Sequence, residues 1–399
     1  MKEPKIRFKG FSGEWENTPF SETFDSLKNN SLSRAELSDS GEVMNIHYGD
    51  VLIKYGECVD VIKEVETFVK DEEVAKKLHQ SCAIKNGDVI FADAAEDNTV
   101  GKCSEVIANE NDAIVSGLHT IACRPKKDFA PMYLGYYLNS HAYHDQLLPH
   151  IQGTKISSIS KKAISQTEIS SPIDKNEQQS IASYFQHLDS LIQSTTKKIE
   201  SLKQVKAASL QSMFPQEGET TPRVRFKGFE GEWVALKYDE IFSLIGDSGH
   251  NVQKTGYCER GLYPIIDQSK QYIVGYTDKV LPIDGTNGFI IFGDHTREFK
   301  YIDFPFCTGA DGIRILKCEQ NFDSRFIYYT CSSLYIPNTG YNRHFKYIKE
   351  ATYLTPETME EQRAIASYFS TLDRQITLQT QRLKKLKQIK SACLDNMFV

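Results

Sequence analysis

The chain has 399 residues, of which 40% are hydrophobic and 25% are charged, and its formal net charge is −6. This composition lacks the low hydrophobicity and high net charge of disordered chains, and the length predicts two or three domains with proper cores. The negative net charge argues against indiscriminate nucleic-acid binding, which needs clustered lysine and arginine, but it leaves room for local basic faces.

The sequence also indicates where the chain works. It shows no secretory leader and no run long enough to span a membrane, so we expect a cytoplasmic protein with no membrane partner. Its nine cysteines are scattered and form no C-x-x-C pair, which predicts reduced thiols.

The first half of the chain has the pattern of an α+β module. It opens with the head motif K-I-R-F-K-G-F-S-G-E-W at residues 5–15. Asn86-Gly87 followed by V-I-F-A predicts a hairpin turn that leads into a buried strand. Further strands are predicted at residues 51–53, 106–108 and 117–124, and helices at 68–78 and 131–148.

A long helical pattern closes this half and occurs twice in the chain. E-Q-Q-S-I-A-S-Y-F-Q-H-L-D begins at Glu177, and E-Q-R-A-I-A-S-Y-F-S-T-L-D begins at Glu361. Each copy runs on to Met-Phe, and both the starting points and the final phenylalanines, Phe214 and Phe398, lie 184 residues apart. Apolar residues at steps of three and four predict two helices, each roughly 55 Å long, that pair as an antiparallel coiled coil.

The second half repeats this plan with different contents. The head motif returns as R-V-R-F-K-G-F-E-G-E-W at residues 223–233. Strands are predicted at 263–267, 272–276 and 288–292, and a helix at 324–334. The helices and head motifs match between the halves while the loops differ, which indicates a symmetric frame with asymmetric contents.

Polar loops next to the predicted strands hold the candidate DNA-contacting residues, because they mix base-edge donors with phosphate partners. In the first half the candidates are Asn45, His47, Tyr48, Lys102, Thr154, Lys155, Ser157, Ser158, Lys161 and Lys162. In the second half they are Asp267, Gln268, His295, Thr296, Arg297, Lys300, Tyr301, Asn342, Arg343, His344 and Lys346.

Motifs for independent catalysis are missing from the sequence. V-G-K at residues 100–102 lacks the preceding glycine and following hydroxyl of a P-loop, and no G-x-G-x-x-G occurs. His141 and His144 lie three residues apart without the third ligand of a zinc site. We therefore predict a non-enzymatic chain with no catalytic, cofactor-binding or metal-binding residue.

The duplicated R-F-x-G-F-x-G-E-W heads and E-Q-x-x-I-A-x-Y-F-x-x-L-D helices together resemble the specificity (S) subunit of Type I restriction-modification enzymes. The resemblance covers the whole chain. It implies that each variable module reads one half of a bipartite target in double-stranded DNA. It further implies that the paired helices set the spacer between the half-sites and dock two methyltransferase subunits.

Catalysis and cofactors would then belong to those partners. The resemblance implies that the methyltransferase subunits carry S-adenosylmethionine and methylate adenine N6. A motor-nuclease, in up to two restriction subunits that use ATP and magnesium, would cleave DNA. The chain itself would need no cofactor. Because the loops of the two modules differ, we expect a target that is not a palindrome.

The predicted fold class is α+β, with two tandem α/β target-recognition domains separated by two long helices that pack as an antiparallel coiled coil with pseudo-two-fold internal duplication. The predicted boundaries are 1–171 and 217–355 for the recognition domains, and 172–216 and 356–399 for the helical repeats. The candidate subunit interface is the helical stripe Ile181, Tyr184, Phe185, Leu188, Ile192, Ile365, Tyr368, Phe369, Leu372 and Ile376, together with exposed helix positions.

Other readings stay open at this point. The chain could serve a methylation-only system that has no nuclease partner. A coiled-coil scaffold whose modules bind proteins is a further alternative, although basic, variable loops on a symmetric frame count against it. An enzyme with its own methyltransferase or nuclease activity is disfavoured by the missing motifs.

Overall fold

The computed structural model describes residues 3–153, 155–309, 312–340 and 342–399. It divides into two compact units. Unit 1 consists of Met1–Thr195 together with Arg382–Val399, and unit 2 is Thr196–Gln381. The first long helix, Lys175–Met213, and the second, Met359–Asn396, each contribute residues to both units. The predicted four-segment domain boundaries, which follow chain order, stay a prediction.

The main sheet of unit 1 is mostly antiparallel and has Val89–Ala92 near its centre. All four residues of this strand are buried, because both faces of the sheet are covered by apolar side chains. In spatial order its five strands are Phe24–Ser26, Thr120–Pro125, Val89–Ala92, Cys103–Ile107 and Cys58–Asp60. The last two run parallel and the other neighbours antiparallel.

Smaller sheets and short helices complete unit 1. A four-stranded sheet has the order Ile114–Ser116, Met44–Ile46, Phe68–Val69 and Leu37–Ser38, and two-stranded ribbons join Trp15–Pro19 to Glu168–Pro172 and Ala94–Ala95 to Ser157–Ser158. The α-helices are Phe20–Thr23, Tyr48–Ile53, Val61–Glu64, Glu72–Cys82, Tyr133–Leu138, His141–His144 and Lys161–Ile164, with 3-10 turns at Arg34–Glu36 and Leu148–His150.

Unit 2 has the same kind of construction around the buried strand Phe289–Gly293. Its main antiparallel sheet has the order Phe242–Ile245, Ile313–Cys318, Phe289–Gly293 and Phe299–Ile302. A three-stranded sheet has the order Gly275–Thr277, Tyr263–Ile266 and Cys307–Thr308, and a ribbon joins Val234–Leu236 to Tyr353–Thr355. The shorter helices are Tyr238–Ile241, Ser324–Ser333 and Phe345–Glu350, with a 3-10 turn at Lys254–Gly256.

The two long helices pack antiparallel within each unit. In unit 1, the Tyr184 hydroxyl lies 3.4 Å from Cys393 Sγ, and Lys390 Nζ lies 2.6 Å from an Asp189 carboxylate oxygen. In unit 2, Lys206 pairs with Asp373 at 2.5 Å. Residue numbers rise along the first helix as they fall along the second, which defines an antiparallel pair. The predicted α+β class, internal duplication and helix pairing are confirmed.

The repeated glutamates hold the head motifs in place. Arg7 donates two hydrogen bonds to the Glu177 carboxylate at 2.7 and 2.8 Å, and Arg225 donates two to Glu361, both at 2.7 Å. Both glutamates are buried, so each carboxylate needs such a partner. The neighbouring glutamine, Gln178 or Gln362, ties the helix to the module through one accepted and one donated bond to the backbone.

The Met-Phe end of each long helix fills the core of a unit. Phe398, at the end of the second helix, packs in unit 1 against Trp15 and stacks on Phe185 with ring centroids 5.7 Å apart. Phe214, at the end of the first helix, packs in unit 2 against Trp233 and Phe369. The two halves of the sequence therefore exchange their helix ends.

Several local predictions were wrong. Residues 51–53 belong to the helix Tyr48–Ile53 rather than to a strand, because the His47 ring accepts a bond from Gly49 N and caps the helix start. The turn at Gly87, with φ +82°, does lead into a buried strand, but it closes no hairpin, since the preceding Ala83 bridges Val115.

The predicted helix at 131–148 and the strand at 272–276 also need correction. Two short helices, Tyr133–Leu138 and His141–His144, replace the first, because the Asn139 side chain bonds back to the Gly135 carbonyl and Ser140 begins a new turn. The strand lies at Gly275–Thr277, where it pairs with Tyr263–Ile266.

Candidate nucleic-acid interface

Each unit has an aspartate directly after its central buried strand, and the polar loops gather around it. These residues are Asp93 in unit 1 and Asp294 in unit 2. In the neighbouring antiparallel strand, Ala92 faces Thr120 and Gly293 faces Ile313. The two aspartates therefore occupy equivalent positions, although the sequences around them differ.

In unit 1 the two predicted contact loops lie side by side. Ile159 N donates to the Asp93 carbonyl at 2.9 Å, and Ala94–Ala95 pairs with Ser157–Ser158. Lys155, Ser158, Lys161 and Lys162 are exposed along the second loop, while Ser157 is half-buried. Lys161 Nζ donates to the Leu27 carbonyl at 2.9 Å, which leaves further N–H groups for an anionic partner. Thr154 lies outside the described residues.

Three other candidates in unit 1 are structural, and their assignment to direct contact needs correction. Lys102 Nζ donates to the Leu52 and Tyr55 carbonyls at 3.0 and 2.8 Å, and burial lowers the pKa of its ammonium group. Asn45 is fully buried and accepts a bond from Asn30, and His47 caps a helix and is only 6% exposed. These side chains hold the loop rather than face a ligand.

Tyr48 faces a histidine that the sequence did not single out. Its half-buried ring meets the His119 ring edge-on, with centroids 5.2 Å apart. His119 Nδ1 lies 3.1 Å from an Asp93 carboxylate oxygen, and the His119 side chain is 51% exposed. Arg34, also missed, pairs with Asp50 at 2.7 Å and is half exposed. We call Arg34, Tyr48, Asp50, Asp93 and His119 patch 1.

In unit 2 the two predicted loops are tied together by His344. Its backbone N–H and its ring Nδ1 both donate to the Asp294 carbonyl at 2.9 Å, and Phe345 N donates to the Asp294 carboxylate at 2.8 Å. Asp294 also lies 3.3 Å from an Arg314 nitrogen. Because His344 is completely buried, it positions the loops and does not contact a ligand, which corrects its predicted role.

The side chains of Lys300 and Tyr301 also make their contacts within the protein. Lys300 is 5% exposed, its Nζ donates to the Asp267 and Gln271 carbonyls, and burial lowers its pKa. The Tyr301 hydroxyl lies 3.0 Å from Ser324 Oγ, and the Arg325 guanidinium stacks over its ring at 4.5 Å. The direct-contact assignment of Lys300 is therefore corrected to a loop-holding role.

The other unit 2 candidates are half-buried or exposed. Gln268 accepts from His295 N at 3.2 Å and, through its carbonyl, from the Thr296 hydroxyl. Arg297 is half-buried, holds a left-handed φ of +63° and donates to the Ile336 carbonyl. The half-buried Asp267 and the exposed Asn342, Arg343 and Lys346 complete the candidates. We call Gln268, His295, Thr296, Arg297, Asn342 and Arg343 patch 2.

Most of the predicted helical interface is buried inside the chain. Six of the ten residues are at most 8% exposed, so no partner can touch them in this structure: Ile181, Phe185, Leu188, Ile365, Phe369 and Leu372. The half-buried remainder is Tyr184, Ile192, Tyr368 and Ile376, and Tyr368 bonds to the Ser209 hydroxyl. The stripe is thus chiefly a core, and a docking surface has to use exposed helix positions.

The described part of the chain contains no cluster of three or more histidine, cysteine, aspartate or glutamate side chains suited to a metal ion. Over the same residues, no helix combines the length and apolar character needed to cross a bilayer.

Comparisons with known proteins place these units in context. The family model described as Type I restriction modification DNA specificity domain matches residues 12–204 and 230–388. A putative type I restriction enzyme MjaX specificity subunit from Methanocaldococcus jannaschii is 22% identical over 348 residues, covering 82% of this chain and 80% of that protein.

Solved structures share the fold. The S subunit of a Type I restriction-modification system from M. genitalium matches with a TM-score of 0.68 and 14% identity, over 100% of this chain and 99% of that one. A chain from a study of complex assembly and conformational transition of the type I R-M system matches with a TM-score of 0.54 and 16% identity, over 97% and 98% of the two chains.

Proposed function

The chain belongs to the Type I restriction-modification DNA specificity family and is a specificity subunit of that class, and from this premise we propose that it reads a bipartite, non-palindromic DNA target. Unit 1 reads one part of the target through patch 1 and the exposed residues of 155–162. Unit 2 reads the other part through patch 2.

One observation carries this proposal: the two patches stand at equivalent places in the two units yet differ in chemistry. Patch 1 combines one arginine with a tyrosine, a histidine and two aspartates and lies in the unit that carries the exposed lysines of 155–162, whereas patch 2 combines two arginines with two amide side chains, a histidine and a threonine. Arginine and amide side chains make bidentate contacts to guanine and adenine edges, and lysine favours phosphate. Two different readers on a duplicated frame suit two different half-sites.

The long helices support a second part of the proposal, the spacing of the half-sites. Each helix is continuous over 39 or 38 residues, about 58 Å. In this proposal the helices determine the unread gap between the half-sites, in the way that half-site spacing is set in dimeric DNA-binding proteins.

The two long helices are also exposed at matching positions, and we propose that one copy of the same partner docks on each helix. Ser183 and Ser367 are exposed at matching places, as are His187 and Thr371. The proposed partners are two methyltransferase subunits, which bring S-adenosylmethionine and methylate adenine N6. For cleavage, restriction subunits with ATP and magnesium join them. Since an adenine in a duplex is accessible only after flipping, this chain positions the DNA and the partner performs the chemistry.

The proposal is tested by mapping N6-methyladenine genome-wide in cells that carry this chain and its methyltransferase, against cells that lack only this chain. We expect a split motif with a fixed gap that disappears in the deletion. Arg343→Ala should alter only one part of the motif, because Arg343 is exposed in patch 2.

Lys317→Ala is the matched control, since Lys317 is exposed near the far end of the strand Ile313–Cys318. Methylation with no chain-dependent motif would refute the proposed function. Equal loss at both parts of the motif in Arg343→Ala would refute the assignment of patch 2 to one half-site. Cleavage of unmethylated DNA in the same cells distinguishes a restricting system from a methylation-only system.

A further inference from the structure

His119 has a backbone conformation that histidine rarely adopts. Its φ is +54°, in the left-handed region, where a side chain with a Cβ is disfavoured by roughly 1–2 kcal/mol. Two other described residues besides glycine share a positive φ, Met132 and Arg297, and Arg297 lies in patch 2. Strain of this kind persists where the surrounding structure holds it, and it concentrates at functional sites.

Unit 2 has glycine at the equivalent position. Asp93 N donates to the His119 carbonyl at 3.0 Å, and Asp294 N donates to the Gly312 carbonyl at 2.7 Å. Gly312 has a φ of +93°, so the backbone of both units needs a left-handed residue here. Glycine adopts this conformation without strain. Backbone stability therefore does not explain why unit 1 has a histidine at this position.

The space beside this position differs between the units in a matching way. A Cβ on Gly312 would lie 2.7 Å from the Gln268 side chain, so unit 2 fills the space with Gln268. Tyr48 and Gln268 occupy equivalent positions, because each lies two residues after an isoleucine that makes the same backbone hydrogen bond. In unit 1 the Ile46 carbonyl accepts from Gly117 N, and in unit 2 the Ile266 carbonyl accepts from Gly309 N. In unit 1 the Tyr48 ring leaves the His119 side chain room to stand at the surface.

The Asp93 carboxylate orients the His119 ring. An ionised carboxylate only accepts hydrogen bonds, so Nδ1 carries the proton in the 3.1 Å contact. In the neutral ring, Nε2 then offers a lone pair. The side chain is 51% exposed, and the Asp93 carboxylate and the Tyr48 ring both contact it, so these two neighbours hold the ring in patch 1.

We infer that His119 is a specificity-determining residue of unit 1, whose Nε2 accepts a hydrogen bond from the exocyclic amino group of an adenine or cytosine in the half-site that unit 1 reads. These amino groups are the hydrogen-bond donors that the bases present in the major groove. The inference rests on the proposed function and adds a residue, an atom and a base class to it. Asp93 is the positioning residue that fixes the tautomer.

His119→Gly tests the inference without disturbing the backbone, because glycine is the residue that unit 2 uses. We expect the melting temperature to stay the same or rise, since strain is relieved. In competition binding by the assembled specificity and methyltransferase complex, wild type should discriminate roughly 10- to 100-fold against replacing one adenine or cytosine in the unit 1 half-site. His119→Gly should lose that discrimination and tolerate all four bases there.

Unchanged discrimination at every position in His119→Gly would overturn the inference while leaving the proposed function intact. A wild-type complex without any chain-dependent split motif would overturn both. The half-site read by unit 2 is the internal control, because its positions should keep their wild-type discrimination in the variant. Binding of the variant to DNA without the motif is measured in parallel, which separates lost base reading from a general loss of affinity.

Discussion

Replacing Phe398 by alanine should loosen unit 1, although the residue belongs to the second half of the sequence. Phe398 is 5% exposed and packs against Trp15, Tyr133, Tyr137 and Phe185 with ring centroids 5.7 to 6.4 Å apart. A buried phenylalanine-to-alanine change costs about 3–5 kcal/mol because it leaves a cavity. A cost near 4 kcal/mol raises the population of open states roughly a thousandfold.

Hydrogen exchange followed by mass spectrometry measures this effect segment by segment. Phe398→Ala should raise exchange in the protected strands of unit 1, such as Val89–Ala92, and leave Phe289–Gly293 unchanged. Phe214→Ala, at the matching position of the first helix, should do the reverse, because Phe214 is buried in unit 2. Leu378→Ala is the control, since that side chain is 52% exposed. Faster exchange in unit 2 for Phe398→Ala would refute the exchanged helix ends.

Three further predictions concern buried charge. Lys390→Met should lower the free energy of unfolding of unit 1 by about 2–4 kcal/mol in chemical unfolding, because it leaves the Glu57 and Asp189 carboxylates without their ammonium partner. Lys387→Met is the control and should cost under about 0.5 kcal/mol, since Lys387 is exposed. Equal costs for the two variants would contradict the prediction. Burial raises the pKa of Glu105 to about 7, so the folded state binds the proton more tightly than the unfolded chain does. The free energy of unfolding should therefore fall as pH rises from about 5 to 7.5. Glu105→Gln should flatten that part of the pH profile, and an unchanged slope would contradict the assignment. Arg7→Lys and Arg225→Lys should each lower the free energy of unfolding by about 1–2 kcal/mol, because lysine cannot make the bidentate contact to Glu177 or Glu361. An unchanged melting temperature would argue against a role of the head-motif arginine in holding the helix.

The frame could be predicted from the sequence because its residues are specific and occur twice. The glutamate, glutamine and aspartate of the helix repeat and the arginine of the head motif make the same kinds of contact in both units, so the same residues occur in both copies of the pattern. The Asp189 and Asp373 carboxylates, for example, each accept from a tyrosine hydroxyl at 2.8 Å. The antiparallel pairing followed from the apolar stripe, since two such stripes must cover each other.

The contact residues could be predicted only in part, because polar side chains look alike in sequence whether they face solvent or the backbone. Lys102 reaches carbonyls 47 and 50 residues away, and Lys300 reaches one 33 residues away, whereas Lys155 is exposed. No local pattern separates these lysines. His119 was missed for a related reason: its left-handed backbone and its equivalence to Gly312 become visible only through the strand pairing.

The exchanged helix ends have a consequence for the order in which the chain can fold during synthesis. Unit 2 is continuous in sequence, so it can close as soon as residues 196–381 have left the ribosome. Unit 1 lacks part of its core until Arg382–Val399 has been made, about 190 residues after the rest of it. We therefore expect unit 1 to stay partly open during synthesis until the last turns of the second helix have been made. A chain that stalls before this point should expose the apolar surface that Phe398 covers.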